Sequence, residues 1–298
     1  MKAAYPKVSA FVMTYNQKIF AQEAIESILM QQYPNLEIVI GDDGSTDGTQ
    51  EILLHYQKKH PSLFKVILSQ SNEGITANCN KILAECTGKY IAWLGGDDIW
   101  MPGKLLKQVS LMENNPQSSL CVSKVEWFDS KTNKTILIFP PGDFNVENMN
   151  VIDTAYYIGG NGSSYMFKKN AIPHYGFEPS ISMVSDWLFV IETLRNGSLI
   201  FVNEALARYR RHRESMSNFP DLIFKEHMQT LFLLEKKYED MREDVSHFIR
   251  KYTLLYAQTV MSSSPTGILV KSICKIVAKR IAKTMNVRVG KSHAIRVF

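Results

Sequence analysis

Leu36-Glu-Ile-Val-Ile-Gly-Asp-Asp-Gly-Ser-Thr-Asp-Gly-Thr49 decides the fold. A β-prone run, Leu36–Ile40, meets a turn crowded with glycine and short carboxylates, and a helical pattern over Ile52–Lys59 follows. Asp and Gly tolerate the dihedrals of a tight strand-to-helix turn. The same unit recurs on both sides. Lys7–Tyr15 is a β-prone run ending in a polar loop at Asn16, before a helical pattern through Ala21, Ile25, Ile28 and Leu29. Phe64–Leu68 leads through Ser69–Gly74 into a helix over Ile75–Cys86, and Tyr90–Leu94 ends at Gly95-Gly-Asp-Asp98. Strands alternating with helices predict right-handed βαβ crossovers and a mostly parallel sheet, whose ligands bind at the carboxyl ends of the strands.

Those ends carry Asp42 and Asp43 after the second strand, and Asp97 and Asp98 after the fourth. Carboxylates gathered at one edge repel each other unless a cation or a set of donors compensates, which points to a metal–nucleotide site. Beside glycine, the same residues also serve as helix caps and turn formers. Further along, Leu120–Phe139 reads as more strands with a turn at Lys131-Thr-Asn133, and a looser stretch follows through Pro140, Pro141 and Gly142. Gly159-Gly-Asn-Gly-Ser-Ser164 suits a backbone close to a ligand or a plain surface turn. Ser185-Asp-Trp187 opens a helical pattern through Leu188, Ile191 and Leu194, with Asp186 well placed as a cap. Leu199–Val202 and Ala205–Tyr209 read as two short strands before Arg210-Arg-His-Arg213. Guanidinium matches phosphate oxygens bidentately, so that cluster suits a diphosphate clamp or else a solvated basic face. The helical pattern from Asp221 to Met261 reads as packing helices with no chemistry in them.

The whole chain of 298 residues carries 34 Lys and Arg against 29 Asp and Glu. Eight of those bases, Lys271, Lys275, Lys279, Arg280, Lys283, Arg288, Lys291 and Arg296, lie after Pro265 with no acidic residue among them. The body is therefore slightly acidic and the tail strongly basic. Apolar residues Leu269, Ile273, Ile276, Val277 and Ile281 recur at helical spacing beside the tail lysines, the pattern of a helix lying in an anionic membrane interface or of a packing helix with solvated lysines. The tail has few aromatics and no nucleic-acid motif, so no nucleic-acid partner is expected. No apolar run is long enough to span a bilayer and the first residues lack a signal-peptide pattern, so a cytoplasmic protein is expected. Cys79, Cys86, Cys121 and Cys274 form no Cys-x-x-Cys pair, which suits a reducing compartment.

In order, Val12-Met-Thr-Tyr-Asn16, Asp42-Asp-Gly-Ser-Thr-Asp-Gly-Thr49, Asn72-Glu-Gly74, Gly95-Gly-Asp-Asp-Ile-Trp100, Ser185-Asp-Trp187 and Tyr209-Arg-Arg-His212 resemble the family-2 glycosyltransferases, of bacterial surface-polysaccharide type. The resemblance covers about residues 7–218. It implies the α/β GT-A fold, Rossmann-like with a mostly parallel central sheet, here with a C-terminal helical extension. Three parts are expected: a catalytic GT-A domain over 1–220, helices over 221–264 and a basic amphipathic tail over 265–298. By the same resemblance Thr14 and Tyr15 line the nucleotide pocket, Asp43 accepts from the base, Asp97 faces the ribose and Asp98 binds a divalent metal, Mn²⁺ or Mg²⁺. Asp186 matches the catalytic base. Arg210, Arg211 and His212 match a motif that faces the diphosphate and, through His212, the metal. Many relatives carry a further Asp where this chain has Gly95 and Gly96.

Chemistry asks for the same residue types. An acceptor hydroxyl is a weak nucleophile until a carboxylate takes its proton, and the departing nucleoside diphosphate gathers negative charge that a cation and arginines offset. One base and a direct displacement imply inversion. The expected activity is metal-dependent transfer of a sugar from a nucleoside diphosphate, UDP first, to a hydroxyl of a glycan or an undecaprenyl-diphosphate-linked acceptor, in the building of O-antigen, capsule or a similar surface polysaccharide. The expected location is the inner face of the cell membrane. Two alternatives stay open, a nucleotidyltransferase and an inactive glycosyltransferase-like binding module. Against the first, no Gly- and Lys-rich loop stands near Val12–Lys18.

Overall fold

The structure is a computed structural model that describes residues 5–142, 149–159, 162–212 and 220–263. Two compact units divide the chain, Met1–Thr230 and Leu231–Phe298.

The first unit is built on one sheet. Its strands are β1 (Val8–Thr14), β2 (Leu36–Asp42), β3 (Phe64–Leu68), β4 (Tyr90–Gly95), β5 (Ile99–Trp100), β6 (Ser118–Asp129), β7 (Thr135–Phe139), β8 (Met166–Lys168) and β9 (Ser198–Arg211). Their order is β3-β2-β1-β4-β8-β6-β9-β5, with β7 paired to β6. β3, β2, β1 and β4 are parallel, as their connecting helices α1 (Lys18–Leu29), α2 (Thr49–Lys59) and α3 (Ile75–Glu85) require. β6 and β9 form a further parallel ladder; β8, β5 and β7 pair antiparallel. The register sets Thr14 opposite Asp42 and Met13 opposite Gly95. The carboxyl ends of β1, β2 and β4 are therefore level, and the segments after them share one edge.

Period-two alternation fills both faces of that sheet. Val8, Ala10 and Val12 of β1 join Ile38, Ile40, Ala92 and Leu94 in a buried cluster with Ala24, Ile25 and Ile28 of α1 and Leu53 of α2. Phe11 points the other way and meets Trp93, with ring centroids 5.3 Å apart. Beyond it Phe177 stacks on Phe189 of α6 (Ser185–Arg195) at 4.2 Å.

Three elements differ from the sequence pattern. α4 (Lys104–Asn114) and α5 (Val151–Ile158) form where no helix is expected. α5 has only eight residues, too few for a clear 3.6-residue period, and Asn150 caps it by accepting from the Asp153 amide at 2.8 Å. The two short strands expected at 199–202 and 205–209 are one strand, β9, whose register against β6 shifts between Ser123 and Lys124. The polar pair Asn203-Glu204 is a bulge, not a break.

α7 (Pro220–Lys237) and α8 (Arg242–Ser263) supply the helices expected after residue 220. In the second unit Leu231, Leu234, Val245, Phe248 and Ile249 are buried. Among the described residues no helix is long and apolar enough to cross a membrane. The tail 265–298, Cys274 and Arg213 lie outside the described residues.

Candidate active site

The first acidic turn is a self-bonded scaffold. Asp42 is fully buried and accepts from the Thr14 hydroxyl at 2.9 Å, the Ser45 amide at 2.8 Å, the Ser45 hydroxyl at 2.5 Å and Gln50 Nε2 at 2.8 Å. Asp47 accepts from the amides of Lys18 and Thr49, both at 2.9 Å, and so pins the starts of α1 and α2. Thr14 is thereby turned into the protein, while Tyr15 next to it is about half exposed. Asp43 receives the Glu73 amide at 2.8 Å and the Gly74 amide at 2.9 Å, which draws the loop after β3 against the loop after β2. Gly74 adopts φ +93° there, a conformation that favours glycine. A carboxylate has about four acceptor positions, so Asp43 keeps capacity for a further donor.

The second acidic turn splits its two carboxylates. Asp98 is 4% exposed; Oδ1 accepts from the Arg210 amide at 2.9 Å and Oδ2 from the Ser163 hydroxyl. Burial, with repulsion from Asp97, holds its carboxyl well above the usual carboxylate range. Asp97 instead stands 2.9 Å from His212 Nε2 through Oδ2, and both side chains keep partial access to solvent. The expected metal ligand Asp98 is thus an internal strut, and the carboxylate beside His212 is Asp97. Among the described residues no group of three or more Asp, Glu, His and Cys converges to hold a metal. The Asp97–His212 pair alone suits a cation whose remaining ligands arrive with a diphosphate.

The basic motif divides in the same way. Arg210 is 6% exposed, donates from Nε to the Asp97 carbonyl at 2.6 Å and pairs with Glu23 of α1. Its guanidinium lies between Phe20 at 4.7 Å and Phe128 at 4.6 Å. Arg210 therefore locks β9 to the Asp97 turn and does not face a ligand as expected. Arg211, on the opposite side of the strand, stands over Trp127 at 5.5 Å.

Gly95 and Gly96 have a steric reason. A Cβ on Gly96 would lie 2.2 Å from Gln17 Oε1 and 2.5 Å from Thr14 Cγ2. The turn after β4 passes too close to β1 for a side chain. Below it, Ser163 also receives the Gly95 amide at 3.2 Å and, through its carbonyl, Trp100 Nε1 at 3.0 Å. The described part of the Gly159–Ser164 stretch is therefore a buttress under Asp98. Trp100 is core at 2% exposure. Lys104 lies over its ring at 4.6 Å and donates to Gln108 at 2.6 Å; burial pushes its amine down to about 7.

Asp186 sits in the first turn of α6. Burial pushes its carboxyl up to about 6, against the opposing effect of its own amide and that of Trp187. The Cys79 thiol on α3 is raised first by burial and then by the charges of both Asp186 and Asp43, so the two carboxylates flank one point of the molecule. Trp187 packs on His227 of α7 at 4.4 Å.

A mostly parallel sheet of this strand order, with both acidic turns at one edge, has the GT-A fold. The chain belongs to glycosyl transferase family 2, whose family model matches residues 9–172. An uncharacterised protein of Mycobacterium tuberculosis is 31% identical over 209 residues, 69% of this chain and 59% of its own length. The chain thus spans about three fifths of the mycobacterial relatives it matches. TuaG of Bacillus subtilis, named for teichuronic acid biosynthesis, is 38% identical over 107 residues, 36% of this chain and 42% of that protein. Among solved structures, Staphylococcus aureus TarS 1–349 with UDP-GlcNAc superposes with a TM-score of 0.60 at 18% identity, over 76% of this chain and 66% of that one. The mannosyltransferase PcManGT of Pyrobaculum calidifontis, with GDP-Man and Mn²⁺, gives 0.62 at 16%, over 95% and 80%. At such identities the structural likeness shows the GT-A fold.

Proposed function

We propose that this glycosyltransferase transfers a sugar with inversion from a nucleoside diphosphate, UDP first, to a hydroxyl of a glycan or an undecaprenyl-diphosphate-linked glycan of a surface polysaccharide. The observation that carries the reading is the Asp97–His212 pair, 2.9 Å apart at the edge where β1, β2 and β4 end. UDP-GlcNAc in TarS, GDP-Man and Mn²⁺ in PcManGT and the teichuronic acid name of TuaG support it by likeness. Asp97 and His212 would hold the divalent cation, Mn²⁺ or Mg²⁺, which offsets the charge growing on the departing diphosphate. Asp43 accepts from the nucleotide base, with Tyr15 beside it, and Arg211 contributes positive charge toward the phosphates.

Asp186 takes the acceptor hydroxyl's proton as its oxygen forms a bond to the anomeric carbon. The bond from that carbon to the phosphate oxygen breaks, and the nucleoside diphosphate carries the electron pair away. The segment 265–298 associates with the anionic inner face of the membrane, as its unopposed bases and apolar spacing suggest. The experiment is a panel of UDP- and GDP-sugars with Mn²⁺, read as thermal stabilisation and nucleoside-diphosphate release. At least one donor is expected to give both. A panel in which none stabilises the protein and none is cleaved overturns the reading.

A further inference from the structure

Helix α6, which carries Asp186, begins without a cap of its own. The residue before it is Val184, whose side chain accepts nothing, although the first amides of a helix need acceptors. Glu226 on α7 instead takes the amides of the residues that lead into the helix. Its Oε2 receives the Met183 amide at 2.8 Å and the Val184 amide at 2.9 Å; its Oε1 receives the Ser182 amide at 3.2 Å and the Ser182 hydroxyl. Glu226 is 4% exposed, and burial alone would raise its carboxyl, yet these donors hold it below the usual carboxylate range. It is a buried anion fully matched by donors.

The same segment is held from the other side. Thr76 of α3 donates to the Ile181 carbonyl at 2.7 Å and shares a hydrogen bond with the Ser185 hydroxyl at 2.8 Å. One turn along α7 from Glu226, Gln229 reaches the Ser180 carbonyl at 2.8 Å. An acceptor brought from another helix fixes where the start of α6 stands in the fold.

We propose that Glu226 is a positioning residue of the transfer reaction: by gathering the amides of Ser182, Met183 and Val184, it sets where Asp186 stands against the acceptor hydroxyl. The inference rests on Asp186 being the base. Displacing a base by an ångström costs transfer far more than it costs donor binding.

The charge of Glu226 has its own signature. The titratable groups around Asp186 are Glu226 and, packed on Trp187, His227 from α7, and Cys79 from α3, whose thiol also feels Asp43. Burial keeps the Cys79 thiol protonated and pushes His227 down to about 4, so neither carries charge near pH 6. Removing the negative charge at 226 favours ionised Asp186 and moves the acid limb of its titration to lower pH.

The test uses the full chain with Glu226→Gln, Ser182→Ala and Asp186→Asn. The probe is the UDP- or GDP-sugar cleaved fastest in the panel above, with Mn²⁺ and water as acceptor, and the matching free diphosphate for binding. Glu226→Gln is expected to lower kcat by about tenfold to a hundredfold, with KM for the sugar nucleotide and Kd for the diphosphate within about twofold of the unaltered protein. Its kcat–pH profile is expected to move acidward. Ser182→Ala, at an exposed position, is expected to lower kcat severalfold in the same pattern and decides the matter if Glu226→Gln does not fold. Unaltered kcat in these variants, or KM and Kd rising in step with the loss of kcat, overturns the proposal. Normal cleavage by Asp186→Asn overturns the assignment of the base instead, and the proposal with it.

Discussion

His212 Nε2 lies 2.9 Å from Asp97 Oδ2, whereas Asp98, the next residue, spends both oxygens on Arg210 and Ser163. Two neighbouring carboxylates therefore have opposite fates, and a variant at each separates them. Asp97→Asn and His212→Ala are expected to weaken Mn²⁺-dependent binding of UDP by at least about tenfold, since each would remove one of the two proposed protein ligands. Asp98→Asn is expected to leave that metal dependence nearly unchanged and to act on stability. Calorimetric titration of UDP with and without Mn²⁺ checks this; the reverse ranking would return the metal role to Asp98.

Both fates follow from the alternation of side chains across a strand or turn, which residue type does not reveal. Arg210 and Arg211 read alike in the sequence, yet one lies between Phe20 and Phe128 and the other over Trp127. The register of β9 on β6, Phe128 opposite Arg210, is what turns Arg210 inward. The parallel half of the sheet was legible because β1, β2 and β3 each end in a polar turn followed by a helix-period pattern. Glu226 was not, because its partners lie 42 to 44 residues away along the chain. Nothing local in the sequence marks Lys104, which Trp100 and Gln108 hold in the interior.

Asp186, with its carboxyl pushed up to about 6, predicts a pH-dependent rate and a pH-dependent stability. As the proposed base, Asp186 works ionised, so kcat should rise through about pH 6 and level above it. For stability the sign is opposite. The folded protein holds its proton between about 4, where an unfolded Asp titrates, and 6, so stability falls as pH rises through that window. Two pKa units correspond to roughly 3 kcal/mol at most. Asp186→Asn should abolish cleavage, leave donor binding intact and raise Tm at pH 7.5 but not at pH 4. A Tm gain of equal size at both pH values would show that burial does not perturb this carboxyl.

Gly96 predicts a close-packing effect at the site itself. A methyl group there meets Gln17 Oε1 at 2.2 Å, Thr14 Cγ2 at 2.5 Å and the Met13 carbonyl at 2.9 Å. The carbonyl is backbone and cannot give way, so Gly96→Ala must displace the turn that carries Asp97. Overpacking of this kind costs about 1–3 kcal/mol. A lower Tm together with weaker Mn²⁺-dependent UDP binding is expected, and Gly96→Asp should not gain metal affinity. Tighter Mn²⁺ binding by Gly96→Asp would show that the turn has room for the carboxylate many relatives place there.

The basic tail supplies the remaining prediction, from charge alone. Residues 265–298 hold eight Lys and Arg without an acid, while the rest of the chain is slightly acidic. Each base near an anionic surface contributes about 1 kcal/mol, and an apolar stripe beside the bases adds burial in the interface. The full chain should therefore co-sediment with vesicles containing anionic lipid and be released by high salt, whereas a chain ending at residue 264 should stay in the supernatant. Deletion should leave the cleavage of a soluble sugar nucleotide near its original rate, because every residue placed at the site precedes position 230. Equal sedimentation of the two chains with the vesicles would move the membrane contact onto the folded body.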